Sequence, residues 1–269
     1  MHRRLYLIPL LGLLFYSAFA HAQANAFSAP RLFDQAMNAH TGVGPGRDEQ
    51  QAVELFRRSA ELGYPPAQTV MGYLSDTGTI LLKEPEQAAQ WYKKAAQQGD
   101  PVGEWLLGRV YYAGNSGPRD LTQAASWLQK AASQGDPFGA YLLGQIKLER
   151  NDYPAATEWF KKAALQGLPQ AQQQLGLLLE DGKGASPDKY EAYIWLLLSF
   201  QSANTPVADH LAQLQAALGS AKVEQAKTDA RERQQTTSRV VVAKGCTGWP
   251  GEFDALPAPP PPEIQSFCR

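Results

Sequence analysis

Apolar and small residues recur along this chain at spacings of three and four, within short segments that themselves recur. WYKKAAQQG (Trp91 to Gly99) returns as WLQKAASQG (Trp127 to Gly135) and as WFKKAALQG (Trp159 to Gly167). A weaker copy, LFRRSAELG, precedes them from Leu55, and a degenerate one, WLLLSFQSA, follows from Trp195. The closing glycines Gly63, Gly99 and Gly135 are 36 residues apart, and Gly167 follows after 32. Such a period marks a stack of supersecondary units in which each unit contacts its neighbours. In the clearest copy Ala88, Trp91, Tyr92, Ala95 and Ala96 share one face, which predicts an amphipathic helix that buries it. The glycine then ends the helix in a left-handed conformation. Asp100-Pro101 and Asp136-Pro137 open the next one, with Asp as N-cap and Pro in the first turn. Leu168-Pro169 keeps the proline and loses the cap, which predicts a weaker start.

The second helix of each unit reads EWLLGRVYYAG (Glu104 to Gly114), in register with segments from Gln68, Ala140 and Gln172. Gly72, Gly108, Gly144 and Gly176 fall in mid-helix, where glycine costs roughly 1 kcal/mol against alanine. Four such losses at one phase predict close approach of a neighbouring helix. Counted from each central glycine, positions −3, +1 and +4 share a face. They hold Thr69, Tyr73 and Asp76; Trp105, Arg109 and Tyr112; Tyr141, Gln145 and Leu148; Gln173, Leu177 and Glu180. On a curved array this face is the inner wall. Tyr73, Trp105, Arg109, Tyr112, Tyr141, Gln145 and Gln173 are therefore the candidate partner-binding residues, aromatic and Arg side chains being frequent interface anchors. The competing reading is that Trp105 and Tyr141 pack between adjacent units.

The same punctuation divides the chain into five parts. Residues 1–22 carry Arg3 and Arg4, an apolar run from Leu5 to Phe19, and small residues that suit cleavage after Ala22. The run is shorter and more interrupted than a spanning helix, so a cleaved signal peptide is expected over a membrane anchor, with a periplasmic or secreted product. A lead-in with a short helix occupies 23–47, the repeats 48–203, two capping helices 204–236, and a tail 237–269. The tail holds the proline run PAPPPP (Pro257 to Pro262), which favours polyproline II. It also holds both cysteines, Cys246 and Cys268, read as a disulfide in an oxidising compartment, with two free thiols as the alternative.

Composition narrows the chemistry. The net charge is −1, and −3 once the leader is removed, which argues against a nucleic-acid or anionic-membrane partner. Basic residues near the ends of the Trp-containing helices, such as Lys94, Lys130 and Lys162, read as a solvated face matched to the helix dipole rather than a polyanion stripe. Gly42, Gly44 and Gly46 do not form a dinucleotide fingerprint, and Gly182-Lys183-Gly184 is no phosphate loop. His40 and His210, the histidines beyond the leader, stand far apart without a nucleophile or paired carboxylates in register. No catalytic, cofactor-binding or metal-ligating set is expected.

Leu107, Gly108, Tyr111 and Gly114, with Ala88, Trp91, Lys94, Ala95, Ala96 and Gly99, resemble the sel1-like repeat family, a relative of the tetratricopeptide fold. The resemblance covers about residues 48 to 235. It implies an all-α, right-handed solenoid of helix–turn–helix repeats with a concave groove that scaffolds protein assemblies. Exported bacterial members of the family resemble regulators and assembly factors of exopolysaccharide or envelope machinery, so an exported, non-enzymatic scaffold with a protein partner is expected. The alternative is an envelope hydrolase or β-lactam-binding enzyme. This chain departs from the cysteine-rich subgroup linked to β-lactam binding, since its repeats contain no cysteine.

Overall fold

Glycine and aspartate punctuation divides the chain into short helices, and a computed structural model shows where each one lies. It describes residues 28–42, 46–78, 81–203 and 205–244, so the leader, the proline run and both cysteines fall outside the described residues. Among those residues there are twelve α-helices and no strand. In chain order the first six are α1 (Ala29–Thr41), α2 (Glu49–Glu61), α3 (Pro65–Thr77), α4 (Pro85–Gln97), α5 (Pro101–Ala113) and α6 (Leu121–Ser133). They are followed by α7 (Pro137–Glu149), α8 (Tyr153–Ala164), α9 (Pro169–Asp181), α10 (Lys189–Ala203), α11 (Ala208–Leu218) and α12 (Ser220–Lys244).

The expected caps are in place. Asp100 accepts from the Gly103 N–H at 2.7 Å and Asp136 from that of Gly139 at 2.6 Å, while Leu168 gives α9 no side-chain cap. Gly99 and Gly135, at φ of 82° and 93°, have nothing near the place of a Cβ, so glycine is required there for its backbone and not for space. Four further caps lie outside the Asp-Pro pattern. Asp48, Asp120, Asp152 and Asp188 accept from the first turns of α2, α6, α8 and α10.

The tightest packing joins each glycine-bearing helix to the Trp-containing helix after it: α3 to α4, α5 to α6, α7 to α8 and α9 to α10. Across each pair the mid-helix glycine faces one large buried side chain. A Cβ at Gly72, Gly108, Gly144 or Gly176 would lie 2.6–2.7 Å from Tyr92, Leu128, Phe160 or Leu196. One turn earlier on the partner helix the backbone oxygens of Ala88 and Ala192 lie 3.2 Å from the same place, and Ala124 and Ala156 at the matching positions are buried too. The mid-helix glycines are thus compensated by close packing.

The tryptophans occupy a different place from the one expected. Trp91 was assigned to the buried face, yet Trp91, Trp127 and Trp159 are only half-buried, and the buried anchor is the next residue, Tyr92, Leu128 or Phe160. Each exposed ring face is covered by the lysine three residues on. Lys94, Lys130 and Lys162 place Nζ 4.0, 3.8 and 4.0 Å from the ring centroids of Trp91, Trp127 and Trp159. These cations cap aromatic faces as well as the helix dipole. In the last unit Leu198 replaces the lysine, and Trp195 is covered instead by Arg233 of α12, at 4.6 Å. Arg233 also grips Glu191 through two hydrogen bonds of 2.7 and 3.0 Å, and the Tyr190 hydroxyl donates to Asp229 at 2.7 Å. Both α11 and α12 pack on α10 in this way and close the array.

Candidate functional site

Alternate glycine-bearing helices also touch, α3 with α5 and α5 with α7, so these helices form the inner row of the stack. Several inner-wall side chains are spent on joining unit to unit. Thr69 donates to Asp100, the cap of α5, at 2.7 Å. Asp76 on α3 pairs with Arg109 on α5, whose guanidinium carbon lies 5.9 Å from the Trp105 ring. Glu180 on α9 accepts His210 of α11 at 2.7 Å. His40 is buried against Glu49, 2.9 Å away, in a separate part of the array.

Four of the seven expected residues, Trp105, Arg109, Tyr112 and Tyr141, line one cleft of about 320 Å³. Ala113, Asn115, Phe138, Leu142, Leu168 and Gln170 complete it, so its walls come from α5 and α7 and its end from the start of α9. Trp105 is only 2% exposed and stacks on Phe138, with centroids 5.1 Å apart and planes at 28°. The packing alternative therefore holds for Trp105, which backs the cleft without projecting from it. Tyr141 is half-buried, accepts from the Gln145 amide at 2.7 Å, and tilts against Phe160 at 5.8 Å. The Tyr112 hydroxyl donates to Glu149 at 2.5 Å; burial first, and then that carboxylate, push its pKa up to about 12. Arg119 holds the same carboxylate at 2.7 Å and lies over the Tyr112 ring.

Tyr73, Gln145 and Gln173 do not line this cleft. Tyr73 is 1% exposed, which removes it from the candidate binding surface, while Gln145 and Gln173 are half-buried elsewhere on the inner row. The residues that sequence reasoning missed had a signal. Phe138 and Gln170 lie six before Gly144 and Gly176, on the same face as −3, +1 and +4 and one turn nearer the helix start. Extending the face by that turn names both.

The cleft lining contains no carboxylate, histidine, cysteine or hydroxyl other than the two tyrosines. Among the described residues no group of three or more His, Cys, Asp or Glu could hold a metal ion. Aromatic faces and carboxamides can bind an extended chain, and nothing in the lining pairs a nucleophile with a base.

Behind Phe138 sits an unusual cap. Desolvation pushes the pKa of Asp136 from 3.8 up to about 7; the N–H groups of Gly139 and Phe138 oppose the rise, and Asp100 and Glu104 add to it. Burial raises Asp100 and Glu104 as well. The folded state therefore binds a proton at Asp136 that the unfolded chain has already lost between about pH 4 and 7. Its contribution to stability is full below the lower value and disappears as pH rises through the upper one. We expect the melting temperature to fall from pH 5 to pH 8, and Asp136→Asn, which keeps a good N-cap, to flatten that slope. An unchanged slope in thermal melts of the variant would refute the assignment.

The sequence model of the Sel1 repeat matches this chain five times, over residues 36–64, 65–100, 101–136, 139–168 and 169–203. From 65 onwards each match spans a glycine-bearing helix and the Trp-containing helix after it, the tightly packed pair and not the reverse order used above to divide the sequence. The first begins within α1. Among solved structures, the chain resembles a protective antigen present in uropathogenic Escherichia coli strains that displays an SLR fold. The two are 26% identical with a TM-score of 0.62, over 84% of this chain and 57% of that one. The chain thus spans little more than half of that relative's length. A Sel1 repeat protein from Oxalobacter formigenes is 23% identical with a TM-score of 0.65, over 77% of this chain and 89% of that one. No curated protein matches the sequence.

Proposed function

We propose that this chain, which belongs to the Sel1 repeat family, is an exported, non-enzymatic scaffold that holds an extended segment of a protein partner in the cleft between α5, α7 and α9. Solenoids of this family are typical protein-interaction folds and generally non-catalytic, and the match spans most of the described array. The observation that carries the reading is the cleft itself. Phe138, Tyr141 and Tyr112 supply aromatic surface, Asn115 and Gln170 supply carboxamides, and the lining holds no carboxylate, histidine or cysteine. At about 320 Å³ the cleft is at the small end of ligand pockets, which suits a few residues of extended chain better than a helix about 10 Å across. Export rests on Arg3, Arg4 and the apolar run after them, and assembly or regulation of envelope or exopolysaccharide machinery is the setting we assign.

The test uses cleft residues less buried than Trp105. Asn115 is exposed, and Leu142 is half-buried at the edge of the core. Asn115→Arg with Leu142→Ala should lower cross-linked capture of the periplasmic partner at least tenfold, with a melt lowered only by the partial loss of packing at Leu142 and a chain that stays folded. Lys161→Glu, on the outer row, should change neither. Equal capture by all three proteins would remove the cleft from the interaction.

A further inference from the structure

We propose that the proline run Pro257–Pro262 of this chain is itself a ligand of the cleft, so that the free protein is self-occupied and a partner must displace its tail. The inference rests on the cleft being a peptide site, as argued above, and adds its ligand class and its regulation. Proline-rich segments dock in aromatic-lined grooves because they are already extended and lose little entropy on binding. Their rings need flat aromatic surface, which Tyr112, Phe138 and Tyr141 provide. Their carbonyls, left without partners in such a helix, need donors. The side-chain NH2 groups of Asn115 and Gln170 line the cleft and can donate to them. The Gln170 side-chain oxygen, an acceptor, is buried with no hydrogen-bond partner and suits the N–H of Ala258, the one backbone donor within the run.

The tether is long enough. α12 packs on α10, α10 packs on α9, and the first turn of α9 forms one end of the cleft. Packed helices lie about 8–10 Å apart, which puts the cleft roughly 30 Å from the part of α12 that packs on α10, around Arg233. Lys244 ends α12 up to about 16 Å further along it. The residues between Lys244 and Pro257 reach up to about 45 Å when extended, so a well-extended tail spans the gap. Such a tether gives an effective concentration of about 0.1 mM, below that of a relaxed short linker. With an intrinsic Kd of about 10 μM, the cleft is about nine-tenths filled by the tail.

Two measurements test this on the full chain. A labelled peptide of residues 255–265 is titrated into the protein and into a variant carrying Pro259→Ala, Pro260→Ala, Pro261→Ala and Pro262→Ala. The variant should bind it about tenfold more tightly, and adding Asn115→Arg should abolish that binding. In the unmutated tail background, Leu142→p-benzoylphenylalanine should photo-cross-link to residues 255–265 within the monomer. Equal peptide affinity for the two chains, no binding to the variant, or cross-links found only outside the tail or only in a dimer would each overturn self-occupancy. If the peptide fails while Asn115→Arg with Leu142→Ala still loses the partner, self-occupancy falls and the scaffold reading stands. Loss of both would remove the cleft as a peptide site.

Discussion

Trp105→Ala is expected to destabilise the array by about 3–5 kcal/mol, the range for truncating a buried aromatic residue. Trp105 is closed off from solvent, stacks on Phe138 of the next unit, and supports the Arg109–Asp76 pair from α5. Its loss therefore opens the junction of α5 with α7, near the middle of the stack. In a quasi-linear array such a break uncouples the two sides, so the single unfolding transition should broaden or split. Urea unfolding followed by circular dichroism measures both effects. Trp105→Phe, which retains a ring against Phe138, should recover much of the loss. A melt within a few degrees of the parent would show that Trp105 carries little of the fold. Because Trp105 is buried and Arg109 is paired with Asp76, Asn115 and Leu142 are the better probes of the cleft.

Gly144→Ala is the second large effect. In an exposed helix the change should stabilise by roughly 1 kcal/mol. Here the new methyl would lie 2.6 Å from Phe160 Cε1 and 2.7 Å from its Cδ1, and that ring has no exposed surface into which it can turn. Overpacking of a filled core typically costs about 1–3 kcal/mol, so the net change should be destabilising. Gly72 faces the ring of Tyr92 and should behave alike, whereas Gly108 and Gly176 face Leu128 and Leu196, whose branched ends give way more easily. The same urea series would order the four variants, with the two glycines opposite aromatic rings the most sensitive. A stabilised Gly144→Ala would mean that α7 and α8 are not in close contact there.

Much of the fold can be read from residues alone because it depends on local chemistry repeated at a fixed period. Gly99 and Gly135 end helices through their backbone freedom, Asp100 and Asp136 start the next ones, and these effects act within a turn of the chain. The inner face could also be named, since −3, +1 and +4 share a side of any helix. Depth could not. Trp105 and Tyr141 occupy the same register, yet one is enclosed and the other half-buried, because the first meets Phe138 and the second meets a tilted Phe160. Likewise, Trp91 belongs by spacing to the buried face, but its burial depends on how far the neighbouring helix covers it, and it is finished by Lys94.

Helix content, repeat period, caps and the side of each helix that turns inward were thus determined by the sequence itself, through interactions between residues close along the chain. The tertiary structure decided which helices form the tight pairs, which inner residues are spent on joining units, and which remain to line a cleft. Those outcomes depend on contacts between residues some thirty positions apart, such as Asp76 with Arg109 and Trp105 with Phe138. No local pattern encodes how one unit tilts upon the next.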